Sequence, residues 1–507
     1  MADGYRSGAA KGMLITDGIR AAARRTPDKI AITQGERRLT FRALIQRVDR
    51  VANLAVSGLG LRHGDHAAIL SPNRLEYLEV VGGLSSAGVA AATIGPTAAA
   101  NEIRFICEDS AARILFVDPA LEEVARAAAP SCIEQIIPFD ETYDDLLARA
   151  ADSVCSIAVG ETDIFSIPYT SGATGRPKGV LLSHRGRVLS AFCMAAEHGC
   201  YTPDDRAIAT TPMFHGAGLL MALTPIFFGG SVEILARFDL PQLLATIEQV
   251  QASSAYMVPT HLAALRAMGD AARRYDVRSL KAVISGTAPL AQTLKEHAIG
   301  YFGEGRLYER YGTTETSIAS CLRPQDQLRK IACVGQPLPL THLSVLDAGP
   351  DGVGELAVAS PYMFSGYLNL PDATAAALRG DWFVTGDLAR IDDEGYLYLV
   401  DRKNDMIISG GENIYPREVE EVLLTHPAVA ECGVAGAPHE YWGESVTAFV
   451  VLRADMHVDA DALAALCRAQ LSRYKVPKDF RIVPTLPRNS MGKILRRSLR
   501  EQLQRET

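Results

Sequence analysis

The chain has 507 residues, 48% of them hydrophobic and 22% charged, which excludes a disordered or fibrous polymer and suits about three folding units at ~150 residues each. Acidic residues outnumber basic ones, 59 to 51, for a formal charge of -8, so no global basic field points to nucleic acid. Nine cysteines stand singly with no C-x-x-C pair, which excludes a disulfide framework or zinc knuckle and fits free thiols in a reducing compartment.

Residues 1–12 lack the apolar core of a signal peptide,. The most hydrophobic stretch, 216–230, is too short to span a bilayer and contains Pro225, so it reads as a buried helix,. A cytoplasmic protein without a membrane span is expected. Along the chain, Thr40 followed by Phe41, Leu44, Ile45, Val48, Val51 and Leu54 predicts a capped amphipathic helix,. Residues 66–70 read as a buried strand before the Pro72-Asn73 turn, 75–84 as a helix, and 89–94 as a strand closed by Gly95-Pro96. Segments 113–117 and 135–138 continue the alternation. Strand–helix–strand alternation predicts an α/β fold with a parallel, doubly wound sheet.

A domain boundary is expected near residues 400–405. A strand at 395–400 runs into the polar string Asp401-Arg402-Lys403-Asn404-Asp405, a natural linker,. Beyond it come a strand at 406–409, a Gly410-Gly411 turn, a helix at 416–424, strands at 429–434 and 446–452, and a helix at 459–471. That is a compact α+β unit of about 100 residues. The expected division is therefore 1–402 and 403–507. From 472 onward ten basic residues meet three acidic ones, either a solvated tail helix or a surface that meets phosphates.

The strongest local signal runs from Tyr169 to Gly179, Tyr-Thr-Ser-Gly-Ala-Thr-Gly-Arg-Pro-Lys-Gly. Glycines let backbone approach an anion, hydroxyls donate to phosphate oxygens, and Lys178 adds charge. It is not a Walker A loop, because Pro177 lies five after Gly172 and Lys178 is followed by Gly179,. The Rossmann fingerprint fails at His63, and neither G-x-S-x-G nor H-E-x-x-H occurs,. Alone, such a loop is more often a plain turn. In this chain it is followed, in order, by Tyr311-Gly-Thr-Thr-Glu315, Thr385-Gly-Asp387, Asp401-Arg402 and Pro487-Arg-Asn-Ser-Met-Gly-Lys493.

That ordered set resembles the adenylate-forming superfamily of acyl-CoA synthetases, adenylation domains and luciferases. The segment 407–416, Ile-Ile-Ser-Gly-Gly-Glu-Asn-Ile-Tyr-Pro, looks most like the acyl-CoA ligase branch. The resemblance spans nearly the whole chain. It implies a large N-terminal domain of doubly wound α/β sheets with a small barrel-like β subdomain, and a smaller mobile C-terminal α+β domain. It implies an acid–thiol ligase that makes an acyl-AMP from a carboxylate and Mg·ATP, releases pyrophosphate, and passes the acyl group to CoA. Partners would be small molecules, with no nucleic acid and with a homodimer left open.

By the same resemblance, Thr170, Ser171, Gly172, Ala173, Thr174, Gly175 and Lys178 would hold the β- and γ-phosphates. Ala173 stands where relatives usually carry Thr, so one hydroxyl donor is missing. Thr314 would reach the α-phosphate, and Glu315, with Thr170, would hold Mg²⁺. Ser285, Gly286, Thr287, Ala288 and Pro289 would line the adenine, with Tyr311, Gly312 and Thr313 beside it. Asp387 would take the ribose hydroxyls, helped by Arg402. Lys493 would serve the first half-reaction, and Asn404 would be the pivot between orientations. Gly410 and Gly411 would line the pantetheine tunnel, with Trp442, Tyr474 and Lys478 contacting CoA.

Substrate choice falls to an acyl pocket expected along 214–218, 256–258, 285–287, 310–312 and 316–317, with His215, Gly216, Gly218, Met257 and Arg310 as its substrate contacts and His215 as its gate. Small residues at 216–218 leave room for an aromatic ring or a medium chain. Arg310 points instead to a small dicarboxylic acid such as malonate, because malonyl-CoA synthetases also carry Arg before this Tyr-Gly; it could also face outward and pair with Glu309 or Glu304. A free-standing enzyme that loads a carrier protein is the competing activity. A catalytically dead nucleotide-binding regulator is the competing class, disfavoured by the presence of both Glu315 and Lys493.

Overall fold

A computed structural model describes residues 12–171, 176–410, 412–488 and 494–506, with backbone only at Ser171. Gly172, Ala173, Thr174, Gly175, Gly411 and Lys493 lie outside the described residues, as does the side chain of Ser171.

Among the described residues the strands fall into four sheets. A nine-stranded sheet is parallel through its centre, where Arg206–Ala209, Ser254–Tyr256, Ala282–Ser285 and Leu307–Tyr311 lie side by side. In a seven-stranded sheet, Ile114–Val117, His66–Leu70, Ala90–Ile94 and Ile164–Ser171 run parallel. Their near-continuous apolar runs are what a sheet covered on both faces requires. A five-stranded antiparallel sheet, from His342–Leu346 to Leu397–Arg402, forms the small β subdomain. A second five-stranded sheet, of Ile407–Ser409, Glu412–Ile414, Val429–His439, Gly443–Leu452 and Asp479–Ile482, follows it, with Asp479–Ile482 parallel to Gly443–Leu452 and the other pairs antiparallel. The chain changes sheet between 402 and 407.

The helices that cover these sheets form where the periodicity predicts. Phe41–Asn53 opens with the Thr40 hydroxyl accepting from the Ala43 N–H at 3.2 Å, a cap that satisfies one orphan donor. Its buried stripe of Phe41, Leu44, Val48 and Val51 packs on Leu75–Ser86. The two helices touch at Gly83, where any Cβ would lie 2.3 Å from that of Val51. Gly216–Phe227 is buried nearly throughout and is too short to be a membrane span. The hairpin Val429–His439 and Gly443–Leu452 is longer than expected, because pairing continues through Pro438 and Glu444 to the turn.

Candidate active site

One large cavity, of about 980 Å³, opens where the parallel strands of both large sheets end. Thr93 and Gly95 reach it from Ala90–Ile94, Tyr169 and Thr170 from Ile164–Ser171, Tyr256 from Ser254–Tyr256, Thr287 from Ala282–Ser285, and Arg310 and Tyr311 from Leu307–Tyr311. Carboxyl ends of parallel strands are where open α/β sheets build ligand crevices, because the strands diverge there and helix N-termini point in.

Next to the lining residues Tyr311, Gly386 and Arg402, Asp387 is buried, itself off the lining, and held from two sides. The Tyr311 hydroxyl donates to its Oδ2 at 2.6 Å, and Arg402 Nε reaches its Oδ1 at 2.8 Å. Each oxygen keeps a second lone pair for an incoming hydroxyl. Burial and the Asp387 charge push the Tyr311 phenol well up, so it stays a donor. Antiparallel pairing of Thr170 with Lys178 sets these two side by side. The Lys178 ammonium rests 4.8 Å from the ring centre of Tyr367, whose hydroxyl donates to Glu315 Oε1 at 2.8 Å. Tyr367 thus supports both the cation and the carboxylate expected at the phosphates.

The 312–317 turn is fixed by its own groups. Thr313 N–H donates to Thr316 Oγ1 at 2.9 Å, and Thr316 N–H to Thr313 Oγ1 at 3.2 Å. A Cβ at Gly312 would fall 2.0 Å from the Ser317 carbonyl, so only glycine fits. Thr314 and Glu315 are left lining the cavity. Thr287 also lines it, at φ +74°, a strained setting for a β-branched residue that costs on the order of 1–3 kcal/mol.

At the opposite end stand Phe214, His215, Gly216, Ala217, Tyr256, Arg187 and Arg310. The His215 ring tilts against Phe214, with 3.9 Å between centres, and its Nε2 has no partner. Burial pushes its pKa down to about 4, so it is neutral at neutral pH. Arg310 does not face outward. Its guanidinium lies 4.6 Å from the ring centre of Tyr256, and Glu309 is engaged elsewhere, by Lys295 at 2.5 Å.

Other expectations need correction. Of the expected wall at 256–258, Tyr256 lines the cavity while Met257 is buried in the core, because successive residues alternate faces,. Gly218 does not make room for substrate. A Cβ there would meet the Pro212 carbonyl at 2.1 Å, so its smallness serves helix packing. Of the segment 285–289, Thr287 lines the cavity and Ser285, Gly286, Ala288 and Pro289 do not. Gly286 admits Tyr256 and Arg310, whose atoms lie 2.9 and 3.0 Å from where its Cβ would be.

Gly410, Trp442, Tyr474 and Lys478 are not on this cavity. Gly410, at φ +61°, lies against the indole of Trp442 and donates to its carbonyl at 2.8 Å. Trp442 and Tyr474 are exposed rather than core aromatics, and Lys478 lines a separate cleft with Arg468 and Arg473. Arg488, from the Lys493 motif, does line the main cavity while pairing with Glu431 at 2.6 Å.

Sequence reasoning missed Tyr367 and Arg187. Tyr367 sits in no motif and carried no signal. Arg187 did carry one, since it interrupts the buried stripe that holds Val188, Ala191 and Met194.

Residues 19–368 match the family model described as AMP-binding enzyme, and residues 418–493 the AMP-binding enzyme C-terminal domain. A 2-succinylbenzoate–CoA ligase of Bacillus licheniformis is 35% identical over 489 residues, 95% of this chain and 98% of the relative. A feruloyl-CoA synthase of an Amycolatopsis species is 35% identical over 490 residues, 95% of this chain and 97% of the relative. The o-succinylbenzoate CoA synthetase of Bacillus subtilis, solved with its acyl-adenylate OSB-AMP, superposes with a TM-score of 0.85 at 32% identity, covering 95% of this chain and 97% of that one.

Proposed function

The chain belongs to the AMP-binding enzyme family and is a ligase that forms acyl-CoA thioesters, and from that premise we propose that its substrate is an aromatic carboxylic acid. One observation carries the proposal. The far end of the cavity is walled by Phe214, His215 and Tyr256 beside the small Gly216 and Ala217, a setting suited to a flat ring. The acids named in the two relatives, 2-succinylbenzoate and the feruloyl group, support it.

The reaction divides in two. A carboxylate oxygen attacks the α-phosphorus of ATP, the bond to the bridging oxygen breaks, and pyrophosphate leaves. The CoA sulfur then attacks the acyl carbon, AMP departs, and the thiol proton goes to water. The carboxylate is already a nucleophile, so the first step needs in-line placement and neutralised phosphate charge rather than a general base. We assign Thr170, Lys178 and Thr314 to the phosphates, Asp387 with Arg402 to the ribose, and Tyr311 to the base. The 403–507 unit would pivot at Asn404, presenting Lys493 for the first step and Gly410 with Gly411 for the second.

Mg²⁺ fits the same region. Glu315 uses one carboxylate oxygen on Tyr367 and keeps the other, and the described residues contain no cluster of three or more ligating side chains. One carboxylate, the Thr170 hydroxyl, phosphate oxygens and water form a usual environment for this small, hard ion. Bound there, it would offset triphosphate charge.

The test is a panel of carboxylates scored for ATP-dependent pyrophosphate release and for CoA thioester. Aromatic acids should exceed linear acids of equal carbon number by about tenfold in kcat/KM, the upper end of what ring packing adds. A linear acid at the head of the panel would overturn the reading.

A further inference from the structure

The helix Ala100–Asp109 ends on a carboxylate. The C-terminal end of a helix carries partial negative charge, so an acidic residue there opposes the dipole and helix stability does not account for it. Asp109 Oδ2 instead accepts the Tyr169 hydroxyl at 2.7 Å. Four residues earlier, on the same helix face, Phe105 meets the Tyr169 ring edge-on, with 6.4 Å between centres,. One helix thus holds both the ring and the hydroxyl of this tyrosine. Burial, with the Asp109 charge beside it, pushes the Tyr169 phenol well up, so the hydroxyl stays a donor. Tyr169 lines the cavity, yet its hydroxyl proton is committed to Asp109 rather than to a ligand.

Asp109 has a second hold. Its backbone carbonyl, one of those that a helix leaves unbonded at its end, accepts from Asn369 Nδ2 at 2.7 Å. Asn369 sits at φ +54°, in the left-handed region that asparagine tolerates better than most residues,. It closes the segment 364–369, which runs along residues 179–181. Ser365 N–H donates to the Leu181 carbonyl and Leu368 N–H to that of Gly179, both at 2.8 Å, and Leu181 N–H donates to the Gly366 carbonyl at 3.0 Å. Tyr367 lies between them, bridged to Val180. At the start of the segment, Phe364 N–H donates to the Glu315 carbonyl at 2.8 Å.

These two holds reach the same groups. Tyr169 directly precedes Thr170, the partner of Lys178, and Tyr367 supports both Lys178 and Glu315. The side chains expected at the phosphates therefore lead back to Asp109 by two routes, one through its carboxylate and one through its carbonyl. Such groups are effective when they are in place before the charge arrives, because they then need no reorganisation during the reaction. A misplacement of about 1 Å can cost roughly 10²-fold in rate.

We propose that Asp109 is a positioning residue for ATP, clamping the strand that carries Tyr169 and Thr170 and the segment 364–369 into one unit, so that Thr170, Lys178 and Glu315 are set for the triphosphate before it binds. The proposal rests on reading those three as the phosphate and Mg²⁺ groups. Asp109 touches no reacting atom and acts through Tyr169 and Asn369. The clamp serves the first half-reaction alone. Acyl-AMP keeps only the α-phosphate, so attack by the thiol makes no demand on groups that hold the β- and γ-phosphates.

The test compares Asp109→Ala, which removes the side-chain hold, with Asp109→Asn, which keeps an acceptor oxygen for the Tyr169 hydroxyl. With the acid that leads the carboxylate panel, KM for Mg·ATP should rise about tenfold in Asp109→Ala, the lower end for a hydrogen bond to a charged group, and by less than about threefold in Asp109→Asn. Thioester formation from synthetic acyl-AMP and CoA should keep its wild-type rate in both. In thermal melts, stabilisation by Mg·ATP should shrink in Asp109→Ala, while stabilisation by AMP, which lacks the β- and γ-phosphates, should persist. Asn369→Gly keeps the backbone angle and removes the amide. It should show the same ATP-selective loss in milder form, and it supplies the readout if Asp109→Ala does not fold. Tyr169→Phe should add nothing to Asp109→Ala, because both break one bond. Equal losses with ATP and AMP, a slowed thioester step, or additive losses in the double variant would overturn the proposal by making Asp109 a general prop of the fold. Wild-type protein that gains no more from Mg·ATP than from AMP would remove the phosphate reading and the clamp with it. A wild-type preference for Mg·ATP that survives in Asp109→Ala would remove the clamp and leave that reading standing.

Discussion

Arg496, in the last helix, lies 3.3 Å from Asp401 on the far side of Asn404, so an ion pair bridges the point where the chain passes between sheets. Its other partners, Asp405 at 3.3 Å and Glu420 at 2.5 Å, follow Asn404 in the chain. The Arg417 N–H also donates to Asp401, at 2.9 Å, and Arg500 donates to the carbonyls of Asn404, Asp405 and Met406. A rotation about Asn404 would have to release Asp401 and also the Leu399 carbonyl, to which Arg417 Nη1 donates at 3.1 Å, while Asp405 and Glu420 keep Arg496 paired.

Asn404→Pro should therefore slow thioester formation more than adenylation. Proline fixes φ and stiffens the pivot, but the orientation described here, with Asp401 engaged and Arg488 at the cavity, remains available. Single-turnover measurement of each half-reaction gives the comparison. Unchanged overall turnover would count against a pivot at this residue.

Tyr367→Phe separates two duties of one side chain. The ring stays under Lys178, but the hydroxyl that holds Glu315 is gone. A hydrogen bond to a charged group contributes about 1.5–3 kcal/mol, so kcat/KM for Mg·ATP should fall roughly tenfold or more and recover in part with raised Mg²⁺. Tyr367→Ala removes the cation–π support as well, and should lose further activity that Mg²⁺ does not restore. Equal behaviour of the two variants would refute the division.

The protein should be acid-labile in a defined window. His184 and His215 are pushed down to about 4 and His198 to about 3, each chiefly by burial. Their folded pKa values lie below the ordinary value near 6.5, so from there down to about 4 the unfolded chain binds protons that the folded chain refuses. Stability is fully present above pH 6.5 and is lost as pH falls, by about 1.4 kcal/mol per pH unit for each such group. His198→Leu, which replaces two unpartnered nitrogens, should flatten the pH dependence of the urea midpoint. An unchanged slope would show that His198 is not one of these groups.

How far the sequence could be read depended on whether a residue's role is local. Thr40 caps its helix through the next turn, and the 311–315 turn closes on its own hydroxyls, so both are visible in a short window. The change of sheet after Arg402 was visible as five polar residues in a row. Arg187, Arg310 and Tyr367 act through long-range placement. Whether an arginine is paired depends on what the fold brings beside it, and Glu309, the obvious neighbour in sequence, turns to Lys295 on the other face. Tyr256 and Met257, both expected on the wall, part for the same reason in miniature, since one step along the chain exchanges cavity for core.

Lys493→Ala tests the first half-reaction most directly. Arg488 lines the cavity and pairs antiparallel with Ile494, so the two described residues that flank 489–493 in sequence lie side by side, one of them at the site. A lysine ammonium is a compact charge on a flexible stem, suited to bridging the attacking carboxylate and the α-phosphate as negative charge gathers there. Removing one such preorganised donor typically costs ~10²–10³ in rate, or about 2.7–4 kcal/mol. Acyl-AMP formation by the variant should fall by at least that factor. With the proposed pivot, which would carry this segment away before the thiol attacks, thioester formation from synthetic acyl-AMP and CoA should be nearly intact. If Lys493 were only one more charge in a basic tail, neither step would change by more than a few-fold. A variant that adenylates at the wild-type rate would remove Lys493 from the mechanism, and one that loses both steps equally would remove the pivot.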